Sequence, residues 1–198
     1  PTSPLWPLLR GADLTAQVLT AEHIKAMAEI LDACQGRVQT ITLLKGISIV
    51  EQYYPLPHLR LMRDIDFLVA DTDLSAVEEA LSALGYSQPF QQSGRNGVRH
   101  HHGSPFVHQQ KGIWVEVHWG LFSSSTPFGA DKLFQREHLT AQFQPSTFQG
   151  RNVTRLSDEM QLVYTASHWF RDYNLTAVLG ATNAMLDIIY LLRHRKRP

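Results

Sequence analysis

From Asp64 the chain alternates polar and apolar positions: Asp64-Ile-Asp-Phe-Leu-Val69. A period of two predicts a strand with Asp64, Asp66 and Leu68 on one face and Ile65, Phe67 and Val69 on the other. Ile113-Trp-Val-Glu-Val-His-Trp119 repeats the pattern, with Trp114, Glu116 and His118 sharing a face. Residues 38–44 predict a third strand, which runs straight into Lys45-Gly46. Helical spacing takes over elsewhere. Leu14, Val18, Leu19, Ile24, Met27, Ile30 and Leu31 predict a helix over 13–35 stopped by Gly36, with Thr20 and Glu22 offering a second start inside it. A short helix over 47–54 ends at Pro55 and Pro57. Asp73 caps a helix over 74–84 that stops at Gly85, and Ser157 caps one over 157–170. A last helix covers 176–193, its basic end facing the negative pole of the dipole.

The remaining segments carry weaker signals. A strand begins at 86–90, and the Ser-Gly-Arg-Asn-Gly run within 91–97 reads as a hairpin turn. Residues 98–109 and 113–121 read as paired strands, 123–128 as a loop and 131–139 as a short helix, with an extended stretch around Phe148 in 140–155. The order of helices and strands, closing on helices, is that of an α+β fold with a C-terminal helical part. Three regions follow: an irregular Pro-rich segment over 1–12, an α+β domain over 13–139, and a connecting segment with helices over 140–198 that packs on the same domain.

Composition narrows the function classes. The chain of 198 residues suits one domain. Eighteen basic residues balance eighteen acidic ones, so no global field draws it to nucleic acid or anionic lipid, and any phosphate binding must be local. One cysteine, Cys34, excludes an internal disulfide and fits a reducing, cytoplasmic setting; in a helix-like segment it reads as a small core residue. No run approaches the ~18 apolar residues of a membrane span, and no secretory leader is expected.

The chemistry concentrates on the two acidic strands. Adjacent same-face carboxylates repel unless a cation lies between them, so Asp64-x-Asp66 suits an oxygen-liganded divalent ion; the plainer reading is a strand end with two solvated acids. Glu116, alone in a strand of Ile, Val and Trp, needs a partner too. Either it shares the metal of Asp64 and Asp66, three carboxylates being able to hold two ions ~3.5–4 Å apart, or it pairs with Arg60 or Arg63. Lys45-Gly46 at a strand-to-helix junction offers main-chain N–H groups and a point charge to a triphosphate. His100, His101, His102, His108 and His118 invite a rival reading, a transition-metal phosphohydrolase built on Asp64, Asp66 and His118. No His-Glu-x-x-His or Cys-x-x-Cys spacing supports zinc. His168, on the penultimate helix, lines a cleft or packs between helices.

Leu-Leu-Lys45-Gly46, Tyr-Tyr-Pro55, Arg60-x-x-x-Asp64-Ile-Asp-Phe-Leu-Val69, a helix ending in Gly85-Tyr86 and Val115-Glu-Val-His-Trp119, in that order, resemble the uncharacterised nucleotidyltransferase family of the DNA polymerase β-like superfamily. The resemblance spans about residues 14–192 and is most specific over Arg60–Val69 and Glu116–His118. It implies a small mixed sheet backed by helices, with Asp64, Asp66 and Glu116 as catalytic metal ligands for Mg²⁺ or Mn²⁺. It implies a nucleoside triphosphate such as ATP as donor and a small molecule, protein or RNA end as acceptor, without a membrane. Lys45, Gly46, Arg60 and Arg63 become phosphate contacts, Arg60 alternatively orienting the carboxylates; His102, His118 and His168 become cleft candidates. Lys-Gly stands where the superfamily usually carries Gly-Ser, which leaves a catalytically inactive nucleotide- or partner-binding module as the alternative.

Overall fold

A computed structural model of the chain describes residues 3–89, 102–122, 132, 134–175 and 178–194. They form α1 (Trp6–Cys34), β1 (Thr42–Leu44), α2 (Lys45–Tyr53), β2 (Asp64–Leu68), α3 (Leu74–Ala83), β3 (Tyr86–Ser87), β4 (Phe106–His108), β5 (Ile113–His118), β6 (Phe143–Phe148), β7 (Arg151–Leu156), α4 (Asp158–Leu175) and α5 (Val178–His194). Short 3-10 turns lie at Pro57–Leu59, Asp71–Asp73 and Arg136–Gln142. The strands make one mixed sheet in the order β3-β4-β5-β2-β1-β7-β6. The β2–β5 and β1–β7 pairs are parallel and the other neighbours antiparallel, so the α+β class expected from the sequence holds.

Alternation along the central strands sorts the molecule into two layers. Ile65, Phe67, Val115 and Val117 point to one side, where Met27, Ile30 and Leu31 of α1 and Val77 and Leu81 of α3 cover them. Leu44 and Leu68 point to the other side, against Leu139, Leu156, and Met160 and Tyr164 of α4. Farther along, Ile49, Tyr53 and Tyr54 pack on Leu191 of α5. The face that carries the acidic positions is therefore roofed at one end by the C-terminal helices.

Several elements depart from the sequence expectation. The first helix starts at Trp6 with Pro7 in its first turn, where a missing N–H costs little, so much of the segment read as irregular is helical. It is one helix, not two. Its buried positions begin at Thr20, while Leu14, Val18 and Leu19 are exposed; only the second half of the helix lies over the sheet. The strand expected over 38–44 shortens to β1; of the one expected over 98–109, residues 102–109 are described, and they form β4 and an isolated bridge between His102 and His118. Of the helix expected over 131–139, residues 131 and 133 lie outside the described residues, and Arg136–Gln142 is a 3-10 turn. The stretch around Phe148 is a full hairpin, β6–β7, closed by Gln149 and Gly150, both at positive φ, as a two-residue turn matched to strand twist requires. The hairpin turn at 91–97, the loop at 123–128, and His100 and His101 lie outside the described residues. No helix among the described residues is long and apolar enough to cross a membrane.

Candidate active site

Strand register assembles the site. The parallel β2–β5 pairing sets Asp66 beside Glu116, Asp64 beside Trp114 and Leu68 beside His118. On the opposite edge of β2, Leu44 pairs with Asp66, so the next residue along, Lys45, enters α2 right beside the carboxylates. Lys45 takes φ +47°, a left-handed conformation that costs a residue with a Cβ about 1–2 kcal/mol. The turn directs its ammonium to 2.6 Å from Asp66 Oδ1 and 3.6 Å from Glu116 Oε2. His118 Nε2 lies 2.9 Å from the same Asp66 oxygen and 3.7 Å from Glu116 Oε2.

Electrostatics follow from this crowding. Burial pushes the Asp66 carboxyl upward, but the Lys45 charge and the His118 hydrogen bond outweigh it, and the net shift is downward. For Lys45, burial works against the charged form while Asp66, with help from Glu116 and Asp64, holds the proton on, and the net shift is upward. Burial lowers His118 despite its bond to Asp66, which keeps the imidazole neutral near pH 7, with Nε2–H donating to Asp66. Asp64 is pushed up to about 6, first by burial and next by the charge of Asp66, with Lys45 opposing.

Asp64 therefore binds its proton more tightly folded than unfolded, where a free aspartate titrates at about 4. Its contribution to stability is fully present below pH ~4 and is lost as pH rises through about 6. Asp66 works with the opposite sign and in a lower window, its contribution fading only as pH falls below the ordinary carboxylate range. Asp64→Asn is expected to gain stability on the wild type progressively between pH 4 and pH 7, read from urea midpoints at unit pH steps. Parallel profiles across that range would show that Asp64 does not titrate there.

The other sequence candidates separate by place. Arg60 is not aimed at the carboxylates: its Nε and Nη2 donate to Asp187 on α5 at 3.0–3.3 Å, and Nη1 donates to the Leu61 carbonyl at 2.6 Å. Tyr54 donates to the same Asp187 at 2.6 Å. Arg63 is exposed. Glu116 takes its cation from Lys45, not from either arginine. Gly46 is needed for packing: a Cβ there would sit 2.8 Å from Met62 Cγ and 3.1 Å from Arg60 Nη1, so the close approach it allows is that of Arg60 beneath the turn. His102 lies against His118 with the rings tilted, their centres 5.1 Å apart, whereas His168 packs edge-on against Tyr164. His108 lies away, against Tyr86. Cys34 is buried and its thiol is pushed up to about 11 by burial, as a core residue should be.

Among the described residues, the donor atoms of Asp66, Glu116 and His118 lie within 4.8 Å of one another. Two carboxylate oxygens that already share the Lys45 ammonium, with the His118 imidazole beside them, suit a divalent cation, so the donor set fits the metal implied by the sequence. Asp64 stands next to this group and feels both Asp66 and Glu116. Tyr164 was not singled out in the sequence, and Asp187, which fits the helical end of the family resemblance, was given no role there. Tyr164 is wholly buried and close enough to act on Lys45. Asp187 is the partner of Arg60, and its signal was an acid set among Met185, Leu186, Ile188 and Ile189, the same anomaly that marked Glu116.

This chain belongs to the family of uncharacterised nucleotidyltransferases, which it matches over residues 2–198. No curated protein matches the sequence significantly. Solved structures share the fold at low identity. The antibiotic-resistance factor ANT(2'')-Ia in solution superposes with a TM-score of 0.57 at 12% identity, over 88% of this chain and 84% of that one. The same factor in complex with adenylyl-2''-tobramycin gives 0.55 at 13% identity, over 86% and 87%. Lincomycin-bound LnuA, a lincosamide antibiotic adenylyltransferase, gives 0.53 at 20% identity, over 85% and 95%.

Proposed function

We propose that this protein transfers a nucleotidyl group from a nucleoside triphosphate to an acceptor hydroxyl, with Asp64, Asp66 and Glu116 holding Mg²⁺ or Mn²⁺. The observation that carries this reading is the in-register pairing of Asp66 with Glu116 beside Lys45 at the start of α2. The first-turn N–H groups of α2 have no side-chain cap, so they and the Lys45 ammonium supply a site for phosphate oxygens. In the reaction the acceptor oxygen bonds to the α-phosphorus as the bond from that phosphorus to the β-bridging oxygen breaks, and pyrophosphate leaves with the electron pair. The acceptor proton passes to the Glu116 carboxylate oxygen that the metal does not use; Glu116 is the acid of the pair that solvent reaches, 24% exposed against 1% for Asp66. His118 holds Asp66 in orientation through Nε2–H. A divalent ion bound at the carboxylates would neutralise phosphate charge and acidify the attacking hydroxyl. Arg60 supports this site from below, through Gly46, in place of the direct phosphate contact that its motif position implies.

Small-molecule hydroxyls are the first acceptor class to screen, because structural neighbours carry adenylyl-tobramycin and lincomycin. A second reading is favoured by one specific observation: Lys45 neutralises the carboxylates without any metal, as it would in a nucleotide- or partner-binding module that has given up catalysis. Calorimetric titration with ATP, GTP, CTP and UTP, with and without Mg²⁺, separates the two. The transferase reading expects binding of at least one triphosphate that depends on Mg²⁺. Binding indifferent to Mg²⁺ favours the module, and no binding to the folded protein overturns the nucleotide assignment altogether.

A further inference from the structure

We propose that Lys45 is a built-in stand-in for the divalent cation: its ammonium fills the space between Asp66 and Glu116 until a metal displaces it, and only the displaced side chain reaches the triphosphate. The inference rests on the nucleotidyltransferase reading for the identity of the metal and the phosphates, and on geometry for the exclusion.

The Lys45 ammonium sits 2.6 Å from Asp66 Oδ1 and 3.6 Å from Glu116 Oε2, between two acids of the cluster whose donor atoms converge across β2 and β5. A magnesium ion approaches its oxygens to about 2.1 Å. An ion held that closely by Asp66 would lie within a few ångströms of the Lys45 ammonium, and two cations so near in a partly desolvated cleft repel strongly. The two are therefore alternatives at this position. Lys45 is suited to leave: its charge is a compact ammonium on a four-carbon stem, unlike the fixed fork of an arginine, and its side chain is 22% exposed. Its backbone is not free to follow, because the left-handed turn is held between β1 and the Gly46–Arg60 packing. The swing is thus confined to the side chain and pivots at the start of α2, where the phosphates are proposed to bind.

This exclusion has a thermodynamic consequence. Metal entering alone must break the Lys45–Asp66 contact and leave the ammonium with no anion of equal quality. Triphosphate supplies that anion, so metal and triphosphate each favour the other by the same factor. Lys45 would then make nucleotide-free metal binding weak and would couple the two ligands.

The test is metal binding without nucleotide. Mn²⁺ titrated into the wild type and into Lys45→Met, followed by electron paramagnetic resonance, is expected to show at least a tenfold gain in affinity in the variant. Equal or weaker affinity in folded Lys45→Met overturns the proposal. A second measurement needs no variant: in protein labelled with ¹⁵N at lysine side chains, saturating Mg²⁺ is expected to shift the Lys45 ammonium resonance or exchange it away, and an unchanged resonance under bound Mg²⁺ also overturns it. The outcomes distinguish the two levels of argument. Tighter Mn²⁺ binding in Lys45→Met with no triphosphate binding to either protein sustains the stand-in and removes the nucleotide reading. Mg²⁺-dependent triphosphate binding by the wild type with unaltered Mn²⁺ affinity in the variant does the reverse.

Discussion

Asp187→Ala is expected to destabilise the protein by about 3–5 kcal/mol, the usual cost of removing one partner from a buried ion pair. Asp187 is 1% exposed and receives three hydrogen-bond contacts from Arg60 and one from Tyr54. Among the described residues no other acid is hydrogen-bonded or ion-paired to Arg60, whose side chain is 14% exposed. Truncation therefore leaves a guanidinium inside the protein without its ion-pair partner, held by the Leu61 carbonyl and the more distant charge of Asp64, and a tyrosine hydroxyl that has lost its acceptor. The effect reaches beyond α5, because Arg60 also packs under Gly46. A chain of this size loses roughly 2–4 °C of unfolding midpoint per kcal/mol, so a drop of about 10 °C is the expected reading in a thermal scan. Asp187→Asn, which keeps an acceptor for Tyr54, should fall between the two. A loss under about 1 kcal/mol for Asp187→Ala, from urea unfolding, would show that α5 is not tied to the motif strand through this residue.

How much of this was legible beforehand depends on what kind of signal each residue gives. Period two in β2 and β5 placed Asp64, Asp66, Glu116 and His118 on one face, and the structure agrees, because a half-buried strand allows no other register. Which cation answers Glu116 was not legible. Arg60 lies close to the acids in sequence, but its side chain turns to a helix far along the chain, and only tertiary structure reports that preference. Lys45 was noticed for a phosphate, while its actual neighbours are carboxylates, a result of β1 pairing with β2 at Leu44 and Asp66. The Gln149–Gly150 turn was missed for a local reason: glutamine rarely takes positive φ, and the signal fell below that of an Asn-Gly pair. The apolar first half of α1 misled in the other direction, since a helical period reveals a stripe without telling whether anything covers it.

Two buried acids, one on α5 and one on β2, thus do opposite work. Asp187 is consumed in holding α5 to the turn under Gly46, and Asp66 is held ready, with a flexible ammonium and a neutral imidazole as its partners. Both are 1% exposed, so burial alone does not say which is structural. What distinguishes them is whether the partner could leave.

Asp66→Asn is accordingly expected to show the reverse of Asp187→Ala, with a large loss of ligand binding and a small loss of stability. Asparagine keeps an oxygen to accept from His118 Nε2, and Lys45 retains Glu116 at 3.6 Å, so no buried charge is stranded. The stability cost should be about 1–2 kcal/mol, that of weakening one charge-assisted hydrogen bond. Binding suffers far more, because an amide supplies neither the charge nor the oxygen pair that a hard cation demands. Mg²⁺-dependent triphosphate affinity should fall at least about 100-fold, near 3 kcal/mol, measured by calorimetry on protein whose unfolding midpoint is followed in parallel. If Asp66→Asn instead unfolds like Asp187→Ala while retaining triphosphate affinity at low temperature, Asp66 is a structural acid and the metal belongs elsewhere. The pair of variants separates these roles because the two carboxylates share burial and differ in the freedom of their partners.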